Sequence, residues 1–297
     1  CRPFLAVGVS FIAVILIAFS RRWPNLREAW SVIASLLKFG IILSMLPAVL
    51  DGNVYQWTLC QITDTVGLTL RTDPAGMIFA TLASMLWVPM NFYSIGYMRC
   101  NQEREQTGYF AAFAMCMSAV MGIAMAENLL TFFIFYELLT LASYPLVLHK
   151  RNQEALMASR KYLIYTLISG QFFLAGVIAV YCISGTMSFT AGGSLTTDMA
   201  PKWVLQAVFV LMILAGSVKA AVMPLHGWLP AAMIAPTPVS ALLHAVAVVK
   251  TGVFAVLRII GFVFGPKLLA EIGVPDVLAW AAATSILVSS LIALRQD

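Results

Sequence analysis

Residues 219–258 read KAAVMPLHGWLPAAMIAPTPVSALLHAVAVVKTGVFAVLR, and this run joins two features that soluble proteins seldom combine. It is almost wholly apolar, yet Lys219 and Lys250 stand inside it, and four prolines interrupt it between Pro224 and Pro238. Proline removes a backbone hydrogen bond and kinks or ends a helix. An apolar helix that prolines break and lysines punctuate is typical of membrane proteins that hold polar sites inside the bilayer.

The rest of the chain has the composition of a protein whose solvent is lipid. Of its 297 residues, 61% are hydrophobic and only 10% are charged, and the mean hydropathy is +0.90. About a quarter of a soluble chain is charged, so this chain could not cover a surface in water. The net charge of +5 comes from basic residues scattered in short loops. That distribution indicates membrane topology rather than nucleic-acid binding.

Nine apolar segments are long enough to cross a bilayer, which takes about 20 residues. Backbone groups in hydrocarbon must bond to one another, so we predict helices; the segments are too continuous for barrel strands. The predicted fold is therefore an all-α, polytopic membrane helix bundle in a single domain, residues 1–297. The nine helices are predicted near residues 5–20, 31–50, 75–98, 108–126, 128–148, 162–183, 203–223, 238–264 and 277–294.

Basic residues concentrate in alternate loops. The loops after predicted helices 1, 3 and 5 hold Arg21, Arg22, Arg27, Arg99, Arg104, Lys150, Arg151, Arg160 and Lys161. By the positive-inside rule, the N-terminus lies outside and residue 297 inside. Two loops on the opposite side have patterns of their own. The alternation within residues 66–71 predicts a short external hairpin, and the Gly-, Ser- and Thr-rich residues 184–200 predict an external loop.

Ionisable residues near the middle of predicted helices stand out: Glu137 in helix 5, Lys219 in helix 7, and His244 and Lys250 in helix 8. A charge at mid-membrane costs several kcal/mol and persists mostly where it faces a wet or polar interior. At 100° per residue, His244 and Lys250 are about 120° apart, so they can border one polar path. The functional hypothesis is a proton relay in which Glu137 pairs with Lys219 and the helix 8 residues carry the proton onward. The alternative is a structural ion pair with a satisfied histidine.

Pro224 predicts that helix 7 breaks just after Lys219 and leaves free backbone groups beside a polar cavity. The alternative is a plain re-entry loop between helices 7 and 8. Trp228, inside this break, is predicted to anchor the chain at the membrane interface. Lys38 and Arg258 are predicted to snorkel towards an interface.

Sequence patterns for a cofactor or a metal are missing from the chain. Its five cysteines form no CxxC pair, so neither a metal site nor a disulfide framework is predicted. The chain also contains no glycine-rich phosphate loop, haem ligand pair or nucleophile elbow. We therefore expect no cofactor, no metal and no catalytic redox site in this chain.

Two stretches resemble the antiporter-like family. They are ENLLTFFIFYELLTLASYPL, residues 127–146, and the run of residues 219–258 quoted above; YSIGYM at 93–98 and LIALRQD at 291–297 are also similar. The family comprises the large subunits of Mrp sodium/proton antiporters, the proton-pumping membrane subunits of respiratory complex I and subunits of membrane-bound hydrogenases. Residues 224–250 look most like the D branch of the large Mrp subunits. Tyr136 departs from the pattern, because many relatives have Trp before the glutamate.

The resemblance implies about fourteen helices with two inverted five-helix repeats, each holding a broken helix and forming a half-channel. Residues 1–107 would then hold leading helices 1–3, residues 108–264 the first repeat with its broken helix 7, and residues 265–297 the start of a truncated second repeat. Glu137, Lys219, Lys250 and His244 match the family's proton-translocating residues. The chain is expected to be a fragment of a longer protein.

The predicted function is that of a proton-translocating component of a multi-subunit Mrp-type cation/proton antiporter, in a bacterial or archaeal plasma membrane, with sodium as a candidate for the exchanged cation. The predicted partners are other membrane subunits, protons, Na⁺ and the lipid bilayer, without nucleic acid. One alternative is a proton-pumping subunit of NADH:quinone oxidoreductase or of a membrane-bound hydrogenase, with electron transfer in partner proteins. Another is a non-conducting membrane scaffold.

Overall fold

A computed structural model describes residues 1–63, 66–242 and 246–295. Within these residues, eight helices are long and apolar enough to cross a membrane, or nine if a bent pair counts as one span. A single two-stranded sheet accompanies them. The predicted all-α, polytopic membrane bundle is confirmed.

The long helices before the break follow one another through short connections. They are α1 (Arg2–Phe19), α2 (Pro24–Leu50), α3 (Pro74–Cys100), α4 (Gln106–Ala124), α5 (Leu129–Val147), α6 (Gln153–Ser184) and α7 (Lys202–Lys219). Several begin where a side chain accepts a hydrogen bond from a free backbone N–H of the first turn. Asp73 caps α3, Asn128 caps α5 and Asn152 caps α6 in this way.

After α7 the helices are short and interrupted. The elements are a 3₁₀ turn (Leu225–Gly227), α8 (Trp228–Ala232), α9 (Thr237–Ala241), α10 (Val248–Arg258), a π-helical segment (Ile259–Phe264), α11 (Pro266–Ile272) and α12 (Pro275–Ala293). The break after Lys219 is confirmed. The helix predicted over residues 238–264 is interrupted within the described residues, because Ala247 forms a bend before α10 begins at Val248; residues 243–245 lie outside the described residues.

The core is centred on α4, which packs against α1 on one side and α5 on the other. Thirteen of its 19 residues are buried, whereas none of the residues of α12 is. Small and apolar side chains of α4 allow this enclosure on every face. The elements that surround α4 therefore determine what lies inside the bundle.

The predicted hairpin is confirmed: β1 (Gln56–Gln61) pairs antiparallel with β2 (Gly67–Arg71). Residues 185–201 contain no helix or strand, as predicted for a loop. Backbone hydrogen bonds tie both to the α4–α5 turn, as from Glu127 N to Thr69 O and from Phe189 N to Glu127 O. Alternate connections therefore gather at one end of the bundle.

The connections at the other end hold one another through charged side chains. Arg99 pairs with Glu28, Arg27 donates to Gln106 at 2.6 Å, and His149 lies 3.7 Å from Glu103. The alternation of loops that the charge pattern predicted is thus present in the fold.

Neither Lys38 nor Arg258 snorkels, so both predictions are wrong. Lys38 is 0% exposed, and its Nζ donates to the main-chain O of Met117 at 2.8 Å. Arg258 is 2% exposed and donates to both carboxylate oxygens of Asp73, at 2.5 and 2.7 Å. Each cation finds an acceptor inside the protein, so neither needs to reach the interface.

Candidate functional site

Lys219, the last residue of α7, is completely buried. Its Nζ donates to the main-chain O of Tyr136 at 2.6 Å and lies 3.2 Å from the centroid of the Tyr136 ring. A carbonyl and an aromatic face both stabilise a cation. The amine is therefore held in the interior by α5, at the residue that precedes Glu137.

Glu137 does not form the direct ion pair that was predicted. Within the described residues, no nitrogen of Lys219 lies within 4.0 Å of the Glu137 carboxylate. The hydrogen bond of the Lys219 amine goes instead to the Tyr136 carbonyl, which precedes Glu137 in the chain. One carboxylate oxygen, Oε1, is buried and has no hydrogen-bond partner. A buried acceptor without a partner is energetically costly, which makes it a candidate for receiving a proton.

Gly170 of α6 makes room for this carboxylate. A Cβ at Gly170 would overlap Oε1 of Glu137. The absence of a side chain on α6 thus sets where the Glu137 carboxyl group lies.

Tyr136 and Ser169 hold the surrounding helices together. The Tyr136 hydroxyl donates to the main-chain O of Ala215 at 3.0 Å, and Ser169 Oγ donates to the same oxygen at 2.9 Å. Ala215 lies one turn before Lys219 on α7. These bonds fix α5 and α6 against the end of α7, so the position of the lysine relative to Glu137 is well defined.

The helix break itself is built from backbone geometry and a buried indole. Ala221 has a φ of 56°, in the left-handed region that ends right-handed helices. Trp228 is 0% exposed, and its Nε1 donates to the main-chain O of Val218 at 2.7 Å. The prediction that Trp228 anchors the chain at the interface is therefore wrong, because the indole is buried and donates to a main-chain oxygen in the last turn of α7, which also accepts from Ala221 N. Pro224 is exposed in the turn that follows.

Lys250 lies on α10, but its side chain is exposed and has no hydrogen bond or ion pair with the described residues. Its helix nonetheless touches the end of α7. A Cβ at Gly252 would overlap the backbone of Lys219 and Ala220. The structure thus brings together the backbone near Lys250 and that of Lys219, but not the two amines. His244 lies outside the described residues.

Comparison with known proteins decides the family. A family model described as the transmembrane region of NADH:quinone oxidoreductase and Mrp antiporter proteins matches residues 126–297, which is more than half of the chain. The chain belongs to this antiporter-like family. The expected membership is confirmed, and the matched region includes Glu137, Lys219 and Lys250.

Two curated relatives represent both branches of the antiporter-like family. The chain is 28% identical over 253 residues to the A-type subunit of an Na⁺/H⁺ antiporter from Alkalihalophilus pseudofirmus, covering 84% of this chain and 31% of the relative. It is 27% identical over 271 residues to NAD(P)H-quinone oxidoreductase subunit 5 of Paulinella chromatophora, covering 86% and 40%. The chain therefore spans about a third of the length of these relatives. The antiporter relative is of the A type by name, whereas residues 224–250 suggested the D branch.

A solved structure shows the same fold. The match is to a chain of the membrane-bound sulfane sulfur reductase, an archaeal respiratory membrane complex, with a TM-score of 0.78 and 23% identity. It covers 87% of this chain and 53% of that one. At this identity, the similarity establishes the helical architecture.

Sequence reasoning missed the residues that shape the site of this antiporter-like chain. Gly170 and Gly252 are isolated glycines within helical patterns, and such glycines often mark close packing, which is the one signal that could have identified them. A separate cavity of about 480 Å³ lies at the hairpin end and is lined by residues that include Asp73, Glu127 and Arg258. Neither Glu137 nor Lys219 lines it, so the two sites are distinct.

Proposed function

We propose that this chain is a proton-translocating membrane subunit of a multi-subunit cation/proton antiporter of the Mrp type. The observation that carries the proposal is the buried Lys219 amine on the Tyr136 carbonyl, next to a Glu137 carboxylate with an unpartnered oxygen. An ionisable pair inside a membrane bundle is typically functional. Membership of a family described by NADH:quinone oxidoreductases and Mrp antiporters supports the same reading.

In the proposed mechanism, Glu137 receives a proton and its charge controls the neighbouring lysine. While Glu137 is ionised, it stabilises the Lys219 ammonium; when Glu137 is protonated, the ammonium loses that stabilisation and can give up its own proton. Moving one charge across 100 mV involves about 2.3 kcal/mol. An interaction of that size lies within the range of a charge pair in a protein interior.

Lys250, with His244, is proposed to carry the proton onward from Lys219. The contact of Gly252 with the Lys219 backbone supports this order, because it places α10 directly against the end of α7. The Lys250 side chain faces away from the described bundle. A lone lysine in contact with lipid is costly, so we propose that further polar helices of the assembled protein cover it.

The remaining assignments belong to the same proposal. Residues 108–264 form one half-channel repeat, residues 1–107 precede it and residues 265–297 begin a second repeat. The N-terminus lies outside a bacterial or archaeal plasma membrane, and other membrane subunits are partners. Sodium is the proposed exchanged cation, since one relative is named as part of an Na⁺/H⁺ antiporter.

A second candidate is a proton-pumping subunit of an NADH:quinone oxidoreductase or a membrane-bound hydrogenase. The similarity to a quinone oxidoreductase subunit 5 favours it. Electron transfer would then take place in partner proteins, while the residues named above would play the same role. Genes for redox partners beside this one would favour this candidate over the antiporter.

The test is Glu137→Ala in the full-length complex, measured as proton-linked transport in membrane vesicles. We expect transport to fall to below about a tenth of the wild-type rate, because each added 1.4 kcal/mol of barrier slows a step tenfold. The matched control is Glu154→Ala, since Glu154 is an exposed glutamate in the first turn of α6. Wild-type transport by Glu137→Ala would refute the assignment and favour a non-conducting scaffold.

A further inference from the structure

Lys38 is a second fully buried lysine, and the proposed mechanism does not use it. It lies in the middle of α2, where α2 meets α3 and α4, and is 0% exposed. Its Nζ donates to the main-chain O of Met117 on α4 at 2.8 Å and lies 5.0 Å from the centroid of the Trp87 ring on α3. An ammonium group has three donors, and a single carbonyl accepts only part of that capacity.

No opposite charge balances Lys38 within the described residues. It takes part in none of the ion pairs there. Charged side chains on the surrounding helices have partners of their own, since Arg2 of α1 donates to Ser44 O and Glu28 of α2 pairs with Arg99 of α3. A lone lysine inside a membrane protein costs several kcal/mol, and such residues mark proton or ion pathways. A methionine would fill similar space without that penalty.

The acceptor of Lys38 connects it to the site at Lys219. Met117 belongs to α4, and α4 packs against α5, whose Tyr136 carbonyl accepts from Lys219. The helix α4 therefore links the surroundings of the two buried amines. Charges interact strongly across a dry interior, so an added charge on one lysine raises the energy of a charge on the other.

Trp87 adds a second unsatisfied donor at the same place. Its Nε1 is buried and has no hydrogen-bond partner among the described residues. The Lys38 ammonium and the Trp87 indole N–H thus offer more hydrogen-bond donors than the Met117 carbonyl can accept. A water molecule between them would accept from the indole and give the amine a route for its proton.

We propose that Lys38 is a further proton-binding site of this chain, which takes up and releases a proton in alternation with Lys219 across α4. The inference rests on the proposed proton-translocating function. It adds a proton-binding residue on α2, which is not part of the proposed path through Glu137, Lys219 and Lys250.

The test replaces Lys38 by Met and by Arg in the full-length complex and measures proton-linked transport at several pH values. Arginine keeps the positive charge and the donors but does not release a proton, so it separates a structural cation from a proton carrier. We expect both variants to assemble and to transport at least about tenfold more slowly than wild type. The matched control is Ser35→Ala, one turn earlier on α2, whose hydroxyl bonds only to its own helix. Wild-type transport with an unchanged pH profile in either variant would overturn the proposal.

A measurement on the wild-type protein decides the question if both variants fail to assemble. The difference in tryptophan emission between wild type and Trp87→Phe reports on the charge beside Trp87. We expect this difference to change with pH, because the charge beside Trp87 changes when Lys38 binds or releases a proton; a difference that is constant with pH would overturn the proposal. Glu137→Ala keeps the two hypotheses apart. Loss of transport in that variant, together with normal transport in the Lys38 variants, removes only the inference about Lys38.

Discussion

Two lysines on neighbouring helices have opposite surroundings. Lys219, at the end of α7, is 0% exposed, and its amine is bound between a carbonyl and an aromatic ring. Lys250, on α10, is exposed and has no partner among the described residues, although Gly252 places its helix on the backbone of Lys219. We propose that both residues belong to one proton path, but among the described residues only Lys219 has an enclosed site.

The difference shows what each half of the path requires. The Lys219 site is made by α5, α6 and α7 together, so the described residues suffice to hold it. The face of α10 that carries Lys250 requires a polar neighbour, because an unpaired lysine side chain in lipid is unfavourable. Substitutions can therefore disturb either the contact between α7 and α10 or the enclosed site around Lys219 alone.

The largest effect is expected where the two regions touch. In Gly252→Ala, the added Cβ overlaps the backbone of Lys219 and Ala220, which cannot move aside as a flexible side chain can. Overpacking of this kind costs about 1–3 kcal/mol or more. We expect a lower melting temperature of the purified complex and a loss of transport. The control is Gly96→Ala on α3, where a Cβ meets nothing within 4 Å. A Gly252→Ala protein with wild-type stability and transport would show that the α7–α10 contact is not as close as described.

A smaller structural effect with a clear functional one is expected in the enclosed region. In Gly170→Ala, the added Cβ overlaps only the end of the Glu137 side chain, which can swing away. The fold should persist, because the displaced atoms belong to a flexible carboxyl group, while Glu137 moves relative to Lys219. We expect near-normal melting with transport reduced about tenfold or more. Gly108→Ala, where a Cβ meets nothing within 4 Å, is the control. Unchanged transport would indicate that the position of the carboxylate does not matter.

The smallest effect concerns the pH dependence of stability outside both lysine sites. His149 follows α5, and its side chain is 5% exposed. Burial lowers the pKa of His149 below its ordinary value, and nearby Glu103 opposes this shift only in part. The unfolded chain then binds the proton more readily than the folded protein, so stability falls as the pH drops below about 6.5. His149→Gln should flatten this decline, by at most about 1.4 kcal/mol per pH unit.

The measurement is the melting temperature of the complex between about pH 5 and 8, the range in which histidine titrates. If wild type and His149→Gln show the same pH dependence, the histidine does not titrate in this range. If they differ, the pH dependence of stability can be subtracted before the pH profile of transport is assigned to the buried lysines.

The sequence predicted the elements that depend on local pattern. Apolar runs predicted the long helices, alternation within residues 66–71 predicted the hairpin, and Pro224 predicted the break after Lys219. It did not predict contacts made by residues distant along the chain. Hydropathy cannot show that Lys38 finds a carbonyl on α4, that Arg258 finds Asp73 or that Trp228 caps α7.

In the candidate site too, local pattern predicted some residues, and contacts between distant residues determine the others. Glu137 and Lys219 stand out because charges in apolar runs are rare, but the hydrogen bond from the Lys219 amine to the Tyr136 carbonyl leaves no trace in the sequence. The roles of Gly170 and Gly252 depend on which helix faces them. Only the packing of α5, α6, α7 and α10 reveals them.

The most direct test of the account is Lys219→Arg in the full-length complex, measured as proton-linked transport. Arginine keeps the positive charge and can donate to the Tyr136 carbonyl, but it does not release a proton under physiological conditions. If Lys219 carries the proton, the complex should assemble normally and transport should be lost. Assembly with wild-type transport would contradict the account, because a fixed charge would then be sufficient at this position.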